Sequence, residues 1–483
     1  MSLVLIVLPI LAGCALFFVP RSDRTVSRIT GCVVAAITFF LPLVTGNDGA
    51  ISAHWLSRPF TASLHFAWGG LSFWIVLLLA LCTFCAILAT NMPQTRTMIA
   101  LLLMLEGTMM GLFTARDILT FALFWDLMLI PPFFALVGWG EHRDTAWRYL
   151  IYNFAGGLLL LLATAAFGVI YGSTDVIGTG HSIAGAWAPW IFAGFAIAFA
   201  VKTPLFPFHT WMPATYSDTP PPMVAVVSAL QSKGGLYGFL VIGLPFLGSA
   251  MAQWKWIFII ASLVSLLYGA YIALVQTDAK RVVAYSSLSH LGLIVLGIFS
   301  FSGVAVQGVL VYIIAHGLFS AALFLILGYF EEREGTRSLA RLGGLGALNP
   351  KIAGAFTIAA LAALGLPGLA GFAGELVILS GVFQSGYFWP ALIALIPIVL
   401  ASAYMLRLLQ DIINGPQVKD IPERTDLSWV EGLAVAPLLA ALVVLGCYPH
   451  AVTATAAAFT APLAAVQPQA AGTLALTKEQ HDR

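Results

Sequence analysis

The chain has 483 residues, 60% hydrophobic and 9% charged, with a mean hydropathy of +0.95. Soluble domains carry about 25% charged residues, so the composition excludes a soluble protein and, with apolar runs long enough to cross a bilayer, implies a polytopic membrane protein. A net charge of +1 argues against nucleic acid as a partner and against a polybasic membrane-surface role.

Apolar runs fall near 2–19, 26–45, 71–90, 98–114, 118–138, 149–171, 188–208, 222–248, 256–276, 282–301, 304–330, 352–385, 387–409 and 430–449, about fourteen spans. In the first run, Leu11-Ala12-Gly13-Cys14 has the look of a lipoprotein cleavage box. No positive charge precedes its apolar core, so a retained helix is expected. Cys82 and Cys85 form a C-x-x-C inside the third run. With no second pair or histidine nearby they read as small apolar residues. The seventh run is broken at Pro204 and Pro207 and the twelfth at Gly365-Leu366-Pro367-Gly368. Paired interruptions at corresponding positions predict an inverted repeat, with the working site near the midplane. The expected fold is therefore all-α, with about 14 transmembrane helices. The expected divisions are three N-terminal helices (1–97), a first five-helix repeat (98–248), a second (256–411), a last helix (430–449) and a tail (450–483).

Of the 22 Lys and Arg, 14 fall in odd-to-even connections: Arg21, Arg24, Arg28, Arg96, Arg143, Arg148, Lys280, Arg281, Arg333, Arg337, Arg341, Lys351, Lys419 and Arg424. Only Arg58, Arg116 and Lys255 fall in the even-to-odd ones. The positive-inside rule then places both termini on the non-cytoplasmic side. Lys478 and Arg483 lie in the tail, and Arg407 sits where it can snorkel, which leaves Lys202 and Lys233 at membrane depth. A lysine at the centre of a membrane helix costs roughly 2.5–3.5 kcal/mol on insertion scales, so such residues are functional candidates by default.

Lys202 precedes the Pro204 break, where a missing N–H frees a carbonyl a turn earlier and makes room for water. Asp126, between Trp125 and Pro131 in an otherwise apolar helix, is its natural partner. Burial favours a neutral lysine and a nearby carboxylate a charged one. A carboxylate that approaches and withdraws therefore toggles the proton. Lys233 lies before Gly234 and Gly235, which are expected to loosen the helix. His290 and His316 can relay protons near neutral pH, and Ser286, Ser287 and Ser289 can hold water. Glu375 follows the second break as the terminal site of a horizontal chain. Glu106, one span before Asp126, and His209, at the first break, are further candidates.

These residues sit in FxxFWDLMLIP (121–131), VKTPLFPFHTWMP (201–213), SKGGLYGFL (232–240), TDAKRVVAYSSLSHLG (277–292), IAHG (314–317), LGLPGLAGFAGEL (364–376) and SAYMLRLLQ (402–410). In order and spacing the chain resembles the antiporter-like membrane subunits of proton-pumping NADH–quinone oxidoreductase, respiratory complex I, and most closely the kind called subunit M or chain 4. The resemblance implies fourteen helices with inverted repeats and proton translocation through Asp126, Lys202, Lys233, His290, His316 and Glu375. It implies a bacterial-type inner membrane and a translocase subunit with no redox centre of its own. Flavin, iron–sulfur clusters and quinone would then sit on partner subunits, among them sister antiporter-like chains. Glu375 is the discriminating residue, since the sister chains and the sodium/proton antiporter subunits usually carry lysine there.

The chain departs from the family in three places. Asp126 stands where the family has glutamate, shortening the reach by about 1.5 Å, so a water-bridged rather than direct contact with Lys202 is expected. Trp211-Met212-Pro213-Ala214-Thr215-Tyr216 replaces Trp-Leu-Pro-Asp-Ala-His, and Asp411 replaces a basic residue. The rival readings are a sodium/proton antiporter subunit, a scaffold that has lost pumping, and a subunit of a hydrogenase or carbon-uptake complex built on the same membrane module.

Overall fold

Without water in lipid, a backbone must close its hydrogen bonds within the segment, and long apolar runs become helices. The computed structural model describes residues 2–20, 23–46, 50–177, 185–416, 426–456 and 463. Arg21, Lys419 and Arg424 of the charge count, and the tail from 457 apart from Leu463, lie outside them. In chain order come α1 (Ser2–Leu16), α2 (Arg24–Thr45), strands β1 (Ile51–Leu56) and β2 (Ala62–Phe66), α3 (Leu71–Ala89), α4 (Thr95–Thr114), α5 (Ile118–Leu127), α6 (Ile130–Trp139) and α7 (Arg143–Tyr171). Then follow α8 (Ala188–Lys202), α9 (Met212–Asp218), α10 (Pro221–Val226), α11 (Lys233–Gly238), α12 (Leu244–Val275), α13 (Ala279–Phe299) and α14 (Gly303–Glu334). The chain continues through α15 (Leu345–Leu348), α16 (Pro350–Ala363), α17 (Ala370–Gln384), α18 (Phe388–Leu409), α19 (Trp429–Cys447) and α20 (His450–Thr453). Among the described residues ten helical stretches are long and apolar enough to span a membrane, and α1, α8, α16 and α17 are shorter apolar helices. They account for the fourteen runs once Pro221–Val275 is counted as two spans and the α16–α17 pair as one.

Both expected breaks are present. After Lys202 the chain turns through residues 203–211 before α9. Its freed groups find partners: Phe206 N–H donates to Ser265 Oγ (2.8 Å) and Trp211 Nε1–H to the Val201 carbonyl (3.0 Å). Between α16 and α17, Gly365 and Gly368 hold φ of 80° and 92°, the left-handed region where a side chain is strained. Asp426 supplies the start of α16, accepting from the N–H groups of Lys351 (3.0 Å) and Ile352 (3.2 Å). Burial would raise that carboxyl, but these donors and Leu427 N–H hold it below its ordinary range.

Four features differ from the sequence reading. The fifth span is not one helix but α5 and α6, parted at Met128–Leu129 just after Asp126. Pro131 and Pro132 carry no N–H to continue the ladder and open α6 as its first turn. The connection expected near 249–255 is helical, because its Ala, Met, Gln and Lys residues favour helix; the path departs from helical geometry at Leu247 (φ −117°, ψ 23°). Lys233 is flanked by two π-helical turns, Val227–Gln231 and Phe239–Gly243. The loosening lies there, and Gly234 and Gly235 stay helical, Gly235 lying where a Cβ would strike the Phe199 carbonyl of α8. Finally, β1 and β2 form an antiparallel hairpin that a search for long apolar runs passes over.

Helix α14 lies at the centre, packed against α3, α10, α13, α16, α17 and α19, and is buried along its spanning length. Cys82 and Cys85 are buried in α3. At one end of the bundle Arg337 ties four segments together. It contacts Glu141 (2.9 Å), Asp278 (2.8 Å) and Glu331 (3.7 Å) and donates to the Ser217 carbonyl (2.9 Å), while Lys280 pairs with Glu331. Arg337→Ala is expected to lower stability by about 1–3 kcal/mol, more than a lone surface pair contributes. A lowered thermal midpoint of the solubilised protein, with the loss shrinking at high salt, checks this.

Candidate functional site

The intramembrane ionisable residues all lie in the interior. Lys202 is 1% exposed, Lys233 and His316 0%, His290 4% and Glu375 6%, while Asp126 is half-buried. They form two groups.

The first is built on helix ends. Lys202 closes α8 at the break, and Asp126 closes α5 one residue before its own end. Lys202 Nζ lies 4.8 Å from the centre of the Trp125 ring and has no hydrogen-bond partner. A cation over an indole face is stabilised by the ring quadrupole. Asp126 Oδ1 also lacks a hydrogen-bond partner, and its carboxylate rests on α7 at Gly157, where a Cβ would collide with it. The two groups meet at Trp125, with Lys202 over its ring and Asp126 next to it in the chain, without closing an ion pair.

The second group is a chain. Lys233 Nζ donates to the Ser228 carbonyl (2.8 Å) and lies 2.6 Å from His316 Nδ1 and 3.4 Å from Ser232 Oγ. That nitrogen of His316 accepts when the Lys233 amine is protonated and can donate to it when the amine is neutral. The His316 and His290 rings are 5.7 Å apart at 81°. Beyond them Tyr312, 5.9 Å from the His290 ring, donates to Glu375 Oε1 at 2.5 Å. Tyr312 and His316 are four residues apart on α14 and therefore share a face. Helices α11, α13, α14 and α17 thus contribute one link each, Tyr312 being a second from α14. The ring nitrogens of His290 and Nε2 of His316 have no protein partner, which leaves positions open for proton exchange with water.

The other candidates stand apart. Glu106 is fully buried and accepts from Thr38 Oγ1 of α2 at 2.6 Å. His209 stacks on Phe206 (5.5 Å) and meets Tyr268 edge-on (5.1 Å) at the break. Of the three serines of α13, Ser289 bonds the Leu266 carbonyl, and Ser287 Oγ is buried without a partner. Sequence reasoning missed Tyr312; the usable signal was its i, i+4 spacing to His316 in YIIAH. Among the described residues, Glu141, His142 and Asp218 are close enough to share an ion. However, Asp218 accepts from the N–H groups of Glu141 and His142, and Glu141 pairs with Arg337. They read as a clamp. Beside them a cavity of about 330 Å³, lined by Asn91, Asp218, Pro221, Lys280, Glu331 and Arg337 among others, opens at the start of α10.

Residues 115–401 match the family described as NADH:quinone oxidoreductase/Mrp antiporter, TM. The chain is 33% identical over 494 residues to NADH-quinone oxidoreductase subunit M of Pseudomonas aeruginosa, covering 94% of this chain and 95% of that one. It is 34% identical over 369 residues to subunit M of Mycobacterium tuberculosis (strain H37Rv), covering 73% of this chain but 66% of that one. Among solved structures, a chain of respiratory complex I from Thermus thermophilus with bound NADH superimposes with a TM-score of 0.87 at 30% identity, covering 96% of this chain and all of that chain. Broken helices, central α14 and matched sequence agree, and the chain belongs to the NADH:quinone oxidoreductase/Mrp antiporter family of membrane subunits.

Proposed function

We propose that the chain is a proton-translocating membrane subunit of a quinone-reducing respiratory complex of the complex I kind. The observation that carries this is the buried run from Lys233 through His316, His290 and Tyr312 to Glu375, hydrogen-bonded at its two ends and joined by ring contacts between them, in a chain about one-third identical to proteins named subunit M. Protons are taken up from the cavity end, by Lys202 and Lys233, pass along the histidines and leave from Glu375. With both termini on the non-cytoplasmic side, the Arg337 end faces the cytoplasm, and residues 98–248 and 256–411 act as two inverted repeats. Moving one charge against 100 mV takes about 2.3 kcal/mol, supplied by electron transfer in partner subunits that hold the flavin, clusters and quinone. The coupling step is the opening and closing of the Asp126–Lys202 contact. Withdrawal of Asp126 favours the neutral amine and pushes its proton toward Lys233.

The second reading, a sodium/proton antiporter subunit, is favoured by the family's own description, which spans both groups. Tagging the chain, identifying the subunits that co-purify and measuring quinone-linked proton uptake in inverted vesicles tests the assignment. Quinone-reductase subunits and sodium-independent pumping are expected. An assembly free of redox subunits, with exchange that requires sodium, overturns the proposal.

A further inference from the structure

The Lys202 and Lys233 groups are not joined by any hydrogen bond between them, yet a polar set fills the interval. Gln231, two residues before Lys233 in the first π turn, is fully buried. Its Nε2–H group donates to Tyr149 Oη at 2.6 Å and lies 3.5 Å from the Met128 carbonyl freed at the α5–α6 break. Tyr149, from α7, packs its ring 5.8 Å from Trp211, and Trp211 is bonded to the carbonyl of Val201 beside Lys202. Tyr216, from α9, also packs on Trp211, with rings 6.5 Å apart. It is 1% exposed, and its hydroxyl faces the side chain of Ser232, the residue before Lys233. Gln231 Oε1 is buried without a partner. Buried polar atoms left unpaired are costly and call for a reason. Here Gln231 Oε1 and Lys202 Nζ are two such atoms.

We propose that Tyr149 and Tyr216, both packed on Trp211 and the first of them set by Gln231, are the hydroxyl step that carries the proton from Lys202 to Lys233. This rests on the pump reading above. Each phenol accepts a proton on oxygen as its own hydrogen leaves toward the next group, so it is neutral before and after and no electron moves. Gln231 is a positioning residue. By donating to Tyr149 Oη it occupies one lone pair and turns the phenolic hydrogen away from the amide. Tyr216 stands where the family pattern has histidine, so this chain keeps a proton-exchanging side chain at that place by other chemistry.

The test uses the whole complex in inverted membrane vesicles. The Tyr149→Phe/Tyr216→Phe variant keeps both rings and their packing. Protons pumped per quinone reduced are expected to fall about tenfold at wild-type assembly, and Tyr216→His in the Tyr149→Phe background is expected to restore most of the ratio, which a packing role does not predict. A wild-type ratio in the double variant, with Lys202→Ala uncoupled, overturns this proposal alone. A wild-type ratio in Lys202→Ala overturns the pump reading beneath it. If the double variant does not assemble, the single Phe variants decide: a wild-type ratio in both overturns the proposal, and a reduced ratio in either supports it.

Discussion

Lys202→Ala is expected to abolish proton pumping linked to quinone reduction and to slow coupled turnover at least about tenfold, equivalent to ~1.4 kcal/mol in the barrier. The reason is positional. Lys202 ends α8, is 1% exposed, lies over the face of Trp125, and among the described residues has Asp126 as its charged neighbour. No water-exposed cation can take its place. Lys202→Arg sharpens the test, because a guanidinium stays charged at any physiological pH. If Lys202 acts as a structural cation over Trp125, arginine restores function. If it must release a proton, arginine fails as alanine does. Fluorescence quenching in inverted vesicles, normalised to assembled complex, reads both variants. Full coupled activity in Lys202→Ala removes the residue from the mechanism.

The parts of the fold that were legible were those whose cost is high in lipid. A buried lysine has few explanations, so Lys202 and Lys233 marked the site at once. Pro204, Pro207 and the Gly365–Gly368 stretch marked two breaks because proline and glycine act locally. The α5–α6 break was less visible. Pro131 and Pro132 were in view, but prolines fit the first turn of a helix as well as they end one, and only the turn at Met128–Leu129 shows which occurred. The hairpin was missed because ISAHWL and ASLHF are six- and five-residue segments in a chain read at the scale of a bilayer. Tyr312 was missed because a tyrosine in an apolar helix resembles packing until the Glu375 carboxylate is found opposite it, on a helix 63 residues away in sequence. Partnerships across helices depend on the relative rotation of three or four rods, and no local pattern encodes that. The same holds for Asp126. The sequence paired it with Lys202, and the structure brings both to Trp125 without an ion pair, with the carboxylate lying against Gly157.

That arrangement sets the second large prediction. Asp126→Asn is expected to lose coupled pumping by the same margin as Lys202→Ala, and the double variant to be no worse than either. Residues that act as one unit are non-additive, whereas independent sites add. Asp126→Glu keeps the charge and extends its reach by about 1.5 Å, so coupled activity is expected to persist. Gly157→Ala tests the same geometry from the other side. Its methyl group would occupy the space where the carboxylate now rests and displace it without altering either charge. Coupling in Gly157→Ala should therefore drop while the complex still assembles. Wild-type pumping in Asp126→Asn, or fully additive losses in the double variant, would separate Asp126 from Lys202 and leave the lysine to be driven by a group on another element.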